Sequence, residues 1–228
     1  MSIHPFVKAV ASLHFDHAFN PYSDRCEVYD RKEAPQRRAR ALSALVEKAA
    51  NTAVDAVWIG RDLGYRGGRR TGLALTDDVH VARHAQRWNV CAERQTVGEA
   101  VAERTAAVIW EMLDQIDEAV FLWNVFPLHP HEPELPFTNR QHNAKERRAG
   151  EEILSLLLSL LRPRRVLAVG KDAFAAATRV AGQCSVTLVR HPSYGGQRQF
   201  ERQVTDLYGL HGRTGSYGFP SLIKAVSA

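Results

Sequence analysis

The 228-residue sequence predicts one α/β domain, a three-layer α/β/α sandwich around a central four-stranded parallel sheet. Four short apolar segments, rich in β-branched and aromatic residues, alternate with segments of helical periodicity. Each apolar segment ends at a glycine or a polar residue, as buried strands do, and strands that alternate with helices favour a parallel sheet with right-handed crossovers. No repeat or linker divides the chain. We therefore expect residues 1–228 to form one domain, with residues 1–31 and 210–228 as peripheral extensions.

The elements are predicted from their periodicity. The predicted strands cover residues 53–60, 118–124, 165–170 and 184–190, and the predicted helices cover residues 37–50, 97–116, 145–161, 172–180 and 197–208. In the first helix Leu42, Leu45 and Val46 share one face, and Pro35 suits the first turn. Residues 14–31 have weak periodicity, so we expect them to wrap the surface.

Composition excludes several classes of protein. The formal charge of +5 permits an anionic partner without selecting one. The longest apolar run, residues 153–161, is far below the ~20 residues that a bilayer span needs, and the first residues lack the pattern of a signal peptide. We therefore expect a cytoplasmic monomer that does not bind membranes. Cys26, Cys91 and Cys184 are too few and too scattered for a disulfide framework or a four-cysteine site, so no metal or other cofactor is expected.

Candidate functional residues follow the predicted strands, because ligands of parallel sheets bind beyond the carboxyl ends of the strands. Residues 60–72, after the first strand, surround Asp62 with glycines and four arginines. Asp62 is either a base or electrostatic group among phosphate-binding arginines, or one partner of an ion pair in a solvated turn. The second strand ends at Asn124, whose amide could read the edge of a base or cap a turn.

Two further loops carry polar side chains. Residues 128–140 contain His129, His131, Glu132 and Glu134, but without a helical histidine pair they favour an exposed loop over a metal site. After the fourth strand, residues 191–198 read His-Pro-Ser-Tyr-Gly-Gly-Gln-Arg. This loop either inserts into a partner or is a turn capped by Ser193.

In this order, the segments resemble the motifs of the uracil-DNA glycosylase superfamily. The sequence Gly60-Arg61-Asp62-Leu63-Gly64, followed by Thr71-Gly72-Leu73, is similar to the first motif. Leu122-Trp123-Asn124 is similar to the second motif, and His191-Pro192-Ser193 to the third, which precedes a DNA-penetrating loop. Residues 139–171 resemble the iron–sulfur branches, but the four cysteines of those branches are absent, so we expect no cluster.

The resemblance implies a DNA repair enzyme that flips uracil out of single- or double-stranded DNA and hydrolyses its N-glycosidic bond, leaving an abasic site. It assigns Asp62 to the attacking water and the sugar cation, and His191 to the anion of the leaving base. Base recognition falls to Asn124, Arg61, Gly64 and Leu75. Contacts to DNA fall to Ser193, Tyr194, Gly195, Gln197, Arg198 and Arg69.

Departures from the family pattern widen the expected substrate range. Gly64 stands where uracil-specific members have a tyrosine that excludes thymine, so larger deaminated or alkylated bases become candidate substrates. Leu75 replaces the usual stacking aromatic, which leaves Trp123 or Tyr65 to stack on the base. Gly195 replaces a wedging leucine, which leaves Tyr194 or Gln197 to fill the vacated stack.

Three other functions stay open at this point. The chain could bind damaged DNA without cleaving it, or it could hydrolyse free nucleosides or nucleotides. It could also trap the sugar covalently on His191, as one iron–sulfur relative does.

Overall fold

A parallel sheet lies at the centre of the structure, a computed structural model that describes residues 2–210. In chain order its elements are α1 (Pro5–Ala11), β1 (Ala18–Phe19), α2 (Ala34–Ala50), β2 (Ala56–Asp62), α3 (Gly68–Thr71), α4 (Val81–Trp88), α5 (Arg104–Leu113), β3 (Val120–Phe126), β4 (His129–Pro130), α6 (Ala144–Leu161), β5 (Arg165–Val169), α7 (Lys171–Val180), β6 (Ser185–Val189) and α8 (Gln197–Tyr208). Strands β2, β3, β5 and β6 pair in parallel in the order β3-β2-β5-β6, and β1 pairs with β4 antiparallel. The predicted four-stranded parallel sheet is confirmed.

Alternating side chains on the strands create two cores, one on each face of the sheet. Val57 and Ile59 of β2 pack with apolar side chains of α1, α2, α6 and α7. Ala56 and Trp58, on the opposite face, pack with α5 and α8. This arrangement has three layers, α/β/α, as the alternation of strands and helices predicts.

The boundaries differ from the prediction where polar side chains compete for the backbone. Strands β2 and β3 continue past their predicted ends, to Asp62 and Phe126, and the helix predicted over residues 97–116 spans only Arg104–Leu113. The Asp78 carboxylate accepts a hydrogen bond from the backbone N–H of Val101 at 3.3 Å, and the Asp77 carboxylate accepts one from that of Glu103 at 2.6 Å. These carboxylates hold the preceding segment in an irregular conformation. Helices α1, α3 and α4 were not predicted.

Residues 14–31 do more than wrap the surface, and that expectation is wrong. Asp30 and Arg38 form an ion pair with almost no exposed surface. The Tyr22 hydroxyl donates to the carbonyl of Gly72 at 2.6 Å, in the loop that follows β2. The segment therefore braces the loop that carries the first motif. Most of the predicted C-terminal extension, residues 211–228, lies outside the described residues.

Within residues 2–210, no helix combines the length and apolar character that crossing a bilayer requires.

Candidate active site

The carboxyl ends of β2, β5 and β6 open into one cleft with a volume of about 560 Å³. Asp62 ends β2, and His191 follows β6 by two residues. Both side chains line the cleft, although 129 positions separate them in the sequence, and several other candidate residues line it with them. The lining includes Gly60, Arg61, Gly64, Leu75, Glu103, Gly170, Asp172, Arg190, Ser193 and Tyr194. The sheet therefore brings the first and third motifs together.

The second motif reaches this edge through Asn124, which is paired with Gly60 in the sheet register. A Cβ atom at Gly60 would lie 2.4 Å from Asn124 Oδ1 and 3.0 Å from Leu75 Cδ2, so only glycine leaves room for the amide. Asn124 is 1% exposed, and its Oδ1 has no hydrogen-bond partner within residues 2–210. Buried amide oxygens are normally bonded, so this atom is a candidate acceptor for a ligand proton.

The Asp62 carboxylate is held from two sides. Arg61 Nε donates to Oδ2 at 2.7 Å, and Arg61 Nη1 also contacts Asp172 at 3.2 Å. The imidazole of His142 bonds to Oδ1 through Nδ1. Sequence reasoning missed His142. The available signal was a histidine next to the Asn143 capping box that begins α6.

His191 is set up as a neutral hydrogen-bond donor. The backbone N–H of Ser193 donates to its Nδ1 at 3.2 Å, and the Ser193 hydroxyl lies 2.7 Å from the same atom. Because Nδ1 accepts, the ring proton belongs on Nε2. Burial lowers the pKa of His191, and the positive charges of Arg61 and Arg190 lower it further. The ring is therefore neutral near pH 7.

The loop between β6 and α8 projects from the rim of the cleft. Tyr194 is 97% exposed and has a positive φ of 51°, and Gly195 follows it with φ 76°. A tyrosine in the left-handed region is uncommon. Its ring makes almost no contact with the rest of the described protein. Arg198 is also exposed, while Gln197 contacts Glu201 at 2.8 Å from the first turn of α8. Tyr194 thus fits the predicted wedge better than Gln197.

Open space adjoins the cleft at Gly64. A Cβ atom at Gly64 would have no neighbour within 4 Å. At Gly67, by contrast, a Cβ atom would lie 2.7 Å from the carboxyl group of Glu103. Burial raises the pKa of Glu103, and its hydrogen bond with Thr105 opposes this shift only in part. The space that a larger side chain at Gly64 would fill is therefore available to a ligand.

Two of the candidate arginines are structural rather than DNA-facing. Arg69 is 4% exposed, and it donates to the Tyr29 hydroxyl at 3.0 Å and to His129 Nδ1 at 3.1 Å. Arg70 is paired with the buried Asp78 at 2.7 Å. The prediction that Arg69 contacts DNA is wrong, because a guanidinium in the interior cannot reach a phosphate. Loop position alone did not reveal its burial.

Two other expectations also change. Trp123 is 2% exposed and packs against Phe6 with ring centroids 5.3 Å apart, so it does not stack on a base in the cleft. His129 belongs to β4 and is buried, where burial and the charge of Arg69 lower its pKa to about 3. Residues 129–130 are therefore part of the framework rather than of an exposed loop. No group of three or more potential metal ligands occurs among the described residues.

Comparison with known proteins places this site in a family. The family model for the Uracil DNA glycosylase superfamily matches residues 48–207, which is well over half of the chain. The chain belongs to the uracil DNA glycosylase superfamily. The match covers all three motifs and both strands that carry Asp62 and Asn124.

One solved structure shares the fold of this superfamily member at low sequence identity, and a second is similar to a lesser degree. The SMUG2 protein of Pedobacter heparinus is 14% identical, with a TM-score of 0.54 over 90% of this chain and 97% of that one. A tyrosine-to-glycine mutant of the UNG protein from Nitratifractor salsuginis is 16% identical, with a TM-score of 0.44 over 80% of each chain. No curated protein sequence matches. The first of these likenesses supports the fold.

Proposed function

We propose that this protein is a monofunctional DNA glycosylase that removes uracil and larger damaged bases from DNA by hydrolysis of the N-glycosidic bond. The observation that carries the proposal is the cleft in which a buried carboxylate, Asp62, and a neutral imidazole, His191, enter from separate strand ends. An unpartnered amide oxygen, that of Asn124, lies at the same edge. Membership of a glycosylase superfamily supports this reading.

The reaction separates two charges, and the cleft provides a group for each. As the bond from C1′ to the base nitrogen breaks, its electron pair leaves with the base and the sugar becomes cationic. The carboxylate of Asp62 stabilises the sugar, and it accepts a proton from the water whose oxygen bonds to C1′. The Nε2–H of His191 donates to the oxygen on which the base anion carries its charge.

Recognition of the base falls to the buried amide of Asn124. Its Oδ1 can accept the N3–H of uracil, and its Nδ2 can donate to O4, so a single amide reads both positions. Leu75, beside this amide, supplies an apolar contact to the ring. The open space at Gly64 accommodates bases larger than uracil, such as hypoxanthine or ethenocytosine.

Access of a nucleotide to the cleft requires that it leave the base stack. Unstacking costs a few kcal/mol, and less for a mismatched or damaged base. Tyr194, exposed beside the cleft, can fill the space vacated in the duplex. The exposed Arg198 can contact the flanking phosphates, which positions DNA without reading its sequence.

A panel of oligonucleotides tests the proposal. Each carries one uracil, hypoxanthine or ethenocytosine, in single- or double-stranded form, and is assayed for abasic sites under single-turnover conditions alongside free deoxyuridine. We expect abasic sites in DNA, no product from free deoxyuridine and loss of roughly three orders of magnitude in rate with Asp62→Asn.

Each alternative gives a different result. Tight binding of lesion DNA without abasic sites would indicate a non-catalytic damage-binding protein. Faster turnover of deoxyuridine than of DNA would indicate a nucleoside hydrolase, and a protein–DNA adduct that survives denaturation would indicate covalent trapping on His191. Any of these outcomes would overturn the assigned activity.

A further inference from the structure

Both oxygens of the Asp62 carboxylate accept hydrogen bonds, and the two donors come from distant parts of the chain. Arg61 Nε contacts Oδ2 from the neighbouring residue, and His142 Nδ1 contacts Oδ1 from 80 residues away. The side chains of Asp62 and His142 are each 7% exposed, whereas that of Arg61 is 39% exposed. The buried donor to this carboxylate is therefore the histidine.

The chemistry of the contact identifies the tautomer of His142. An ionised carboxylate can only accept hydrogen bonds, so the imidazole must carry a proton on Nδ1. Within the described chain the residues that line the cleft include Asp62 but not His142. The side chain of His142 is almost fully buried, so it contacts the carboxylate from the protein interior.

The segment that carries His142 is anchored at both of its ends. Asn139 Oδ1 accepts the backbone N–H of Tyr65 at 3.0 Å, which ties the segment to the turn after Asp62. At the other end, Asn143 and Glu146 form a capping box at the start of α6. The carboxylate of Glu146 also forms a bidentate ion pair with the guanidinium of Arg140, at 2.6 and 2.7 Å. Residues 139–143 therefore connect the turn after Asp62 to α6 and are hydrogen-bonded at both ends.

We infer that His142 is a positioning residue for the glycosylase reaction, one that fixes the orientation of the Asp62 carboxylate toward the sugar and the attacking water through its Nδ1–H donor. This inference rests on the proposed function. One donor on each oxygen prevents rotation of the carboxylate about its Cβ–Cγ bond and leaves a lone pair on each oxygen unused. Catalytic groups act efficiently only when their geometry is set before the reaction.

Three histidine variants test this role on uracil-containing DNA. His142→Asn keeps an N–H donor close to the position of Nδ1, and His142→Phe keeps a ring but removes the donor. The matched control is His131→Phe, because the ring of His131 bonds to the carbonyl of Glu132 at 2.9 Å and packs against His17 and His129, away from Asp62. Single-turnover rate, DNA dissociation constant and melting temperature are measured for each variant.

We expect His142→Phe to lower the single-turnover rate by about 30- to 100-fold without weakening DNA binding, since a misplaced catalytic group costs about this much. His142→Asn should stay within about threefold of the natural protein, as should His131→Phe. If folded His142→Phe keeps its rate, or if folded His142→Asn is as slow as His142→Phe, the inference is overturned. Should His142→Phe fail to fold, His142→Gln replaces it, because glutamine shifts the donor by one methylene. We then expect His142→Gln to be slower than His142→Asn, and equal single-turnover rates for the two variants would overturn the inference. Absence of excision by the natural protein would refute the proposed function instead.

Discussion

The two sides of the cleft are built in different ways. On one side, the side chains of Asp62, at the end of β2, and of Asn124, in the neighbouring edge strand β3, are almost fully buried. On the other side, Tyr194 in the loop after β6 and Arg198 in the first turn of α8 are exposed. The side chains assigned to the sugar and to base recognition are thus buried, and those assigned to DNA contact are exposed. Changes on the buried side should slow bond breaking, and changes in the exposed loop should weaken entry of the nucleotide.

His191 tests where the boundary between these two sides lies, because it begins the exposed loop but is itself partly buried. Removing a donor to a developing anion costs about 10²- to 10³-fold in rate, so His191→Ala should slow single-turnover excision by this factor. DNA affinity should be unchanged. A variant that binds DNA poorly but excises at the natural rate once saturated would assign His191 to the DNA-contact side.

The pH dependence of the single-turnover rate tests the protonation state of His191. Burial and the nearby arginines lower the pKa of His191, so its neutral form is present above that lowered pKa and is lost only at more acidic pH. The single-turnover rate should therefore stay nearly constant between pH 7.5 and pH 6.5, where a histidine of ordinary pKa would already have lost about half of its neutral form. A rate that halves near pH 6.5 and continues to fall in proportion to proton concentration would contradict this protonation state.

Gly64→Tyr tests the space beside the buried groups. Because nothing lies within 4 Å of the added Cβ, the variant should fold, and its ring should occupy the space available to larger bases. Excision of ethenocytosine or hypoxanthine should fall by about 100-fold, while uracil excision stays within a few-fold. The ratio of the two single-turnover rates is the measurement. An unchanged ratio would mean that Gly64 does not limit the size of the base.

Tyr194→Ala tests the exposed side. If the ring fills the vacated stack, its loss should lower excision from duplex DNA by about 10-fold, the effect of about 1.4 kcal/mol of stacking. Single-stranded substrate needs no such filling, so its rate should stay the same. Leu188→Ala provides an exposed apolar control on β6, away from the loop tip. Equal losses of excision rate on duplex and single-stranded DNA would indicate that Tyr194 acts in bond breaking and does not fill the vacated stack.

The sheet was predictable from the sequence because a buried parallel strand leaves a local signal, a short run of β-branched and aromatic residues such as 120–126. Asp62, Asn124 and His191 follow from the same signal, since motif order and strand ends both mark them. Contacts across the chain leave no such signal. His142 meets Asp62 from 80 positions away, and the burial of Arg69 depends on Tyr29 and His129, which arrive from two other segments. Likewise, Asp77 and Asp78 override helical periodicity in residues 97–103.

The smallest expected effect separates the two kinds of arginine that the sequence could not distinguish. Each phosphate contact contributes about one to the slope of log K against log salt, so Arg198→Met should reduce the magnitude of that slope by about one. Arg69→Met should leave the slope unchanged, because its guanidinium is buried. It should instead lower the free energy of unfolding by about 2 kcal/mol, since Tyr29 and His129 lose their shared partner. Titration of DNA at several salt concentrations, together with urea unfolding, measures both quantities. A reduced slope for Arg69→Met with an unchanged free energy of unfolding would indicate that Arg69 contacts DNA.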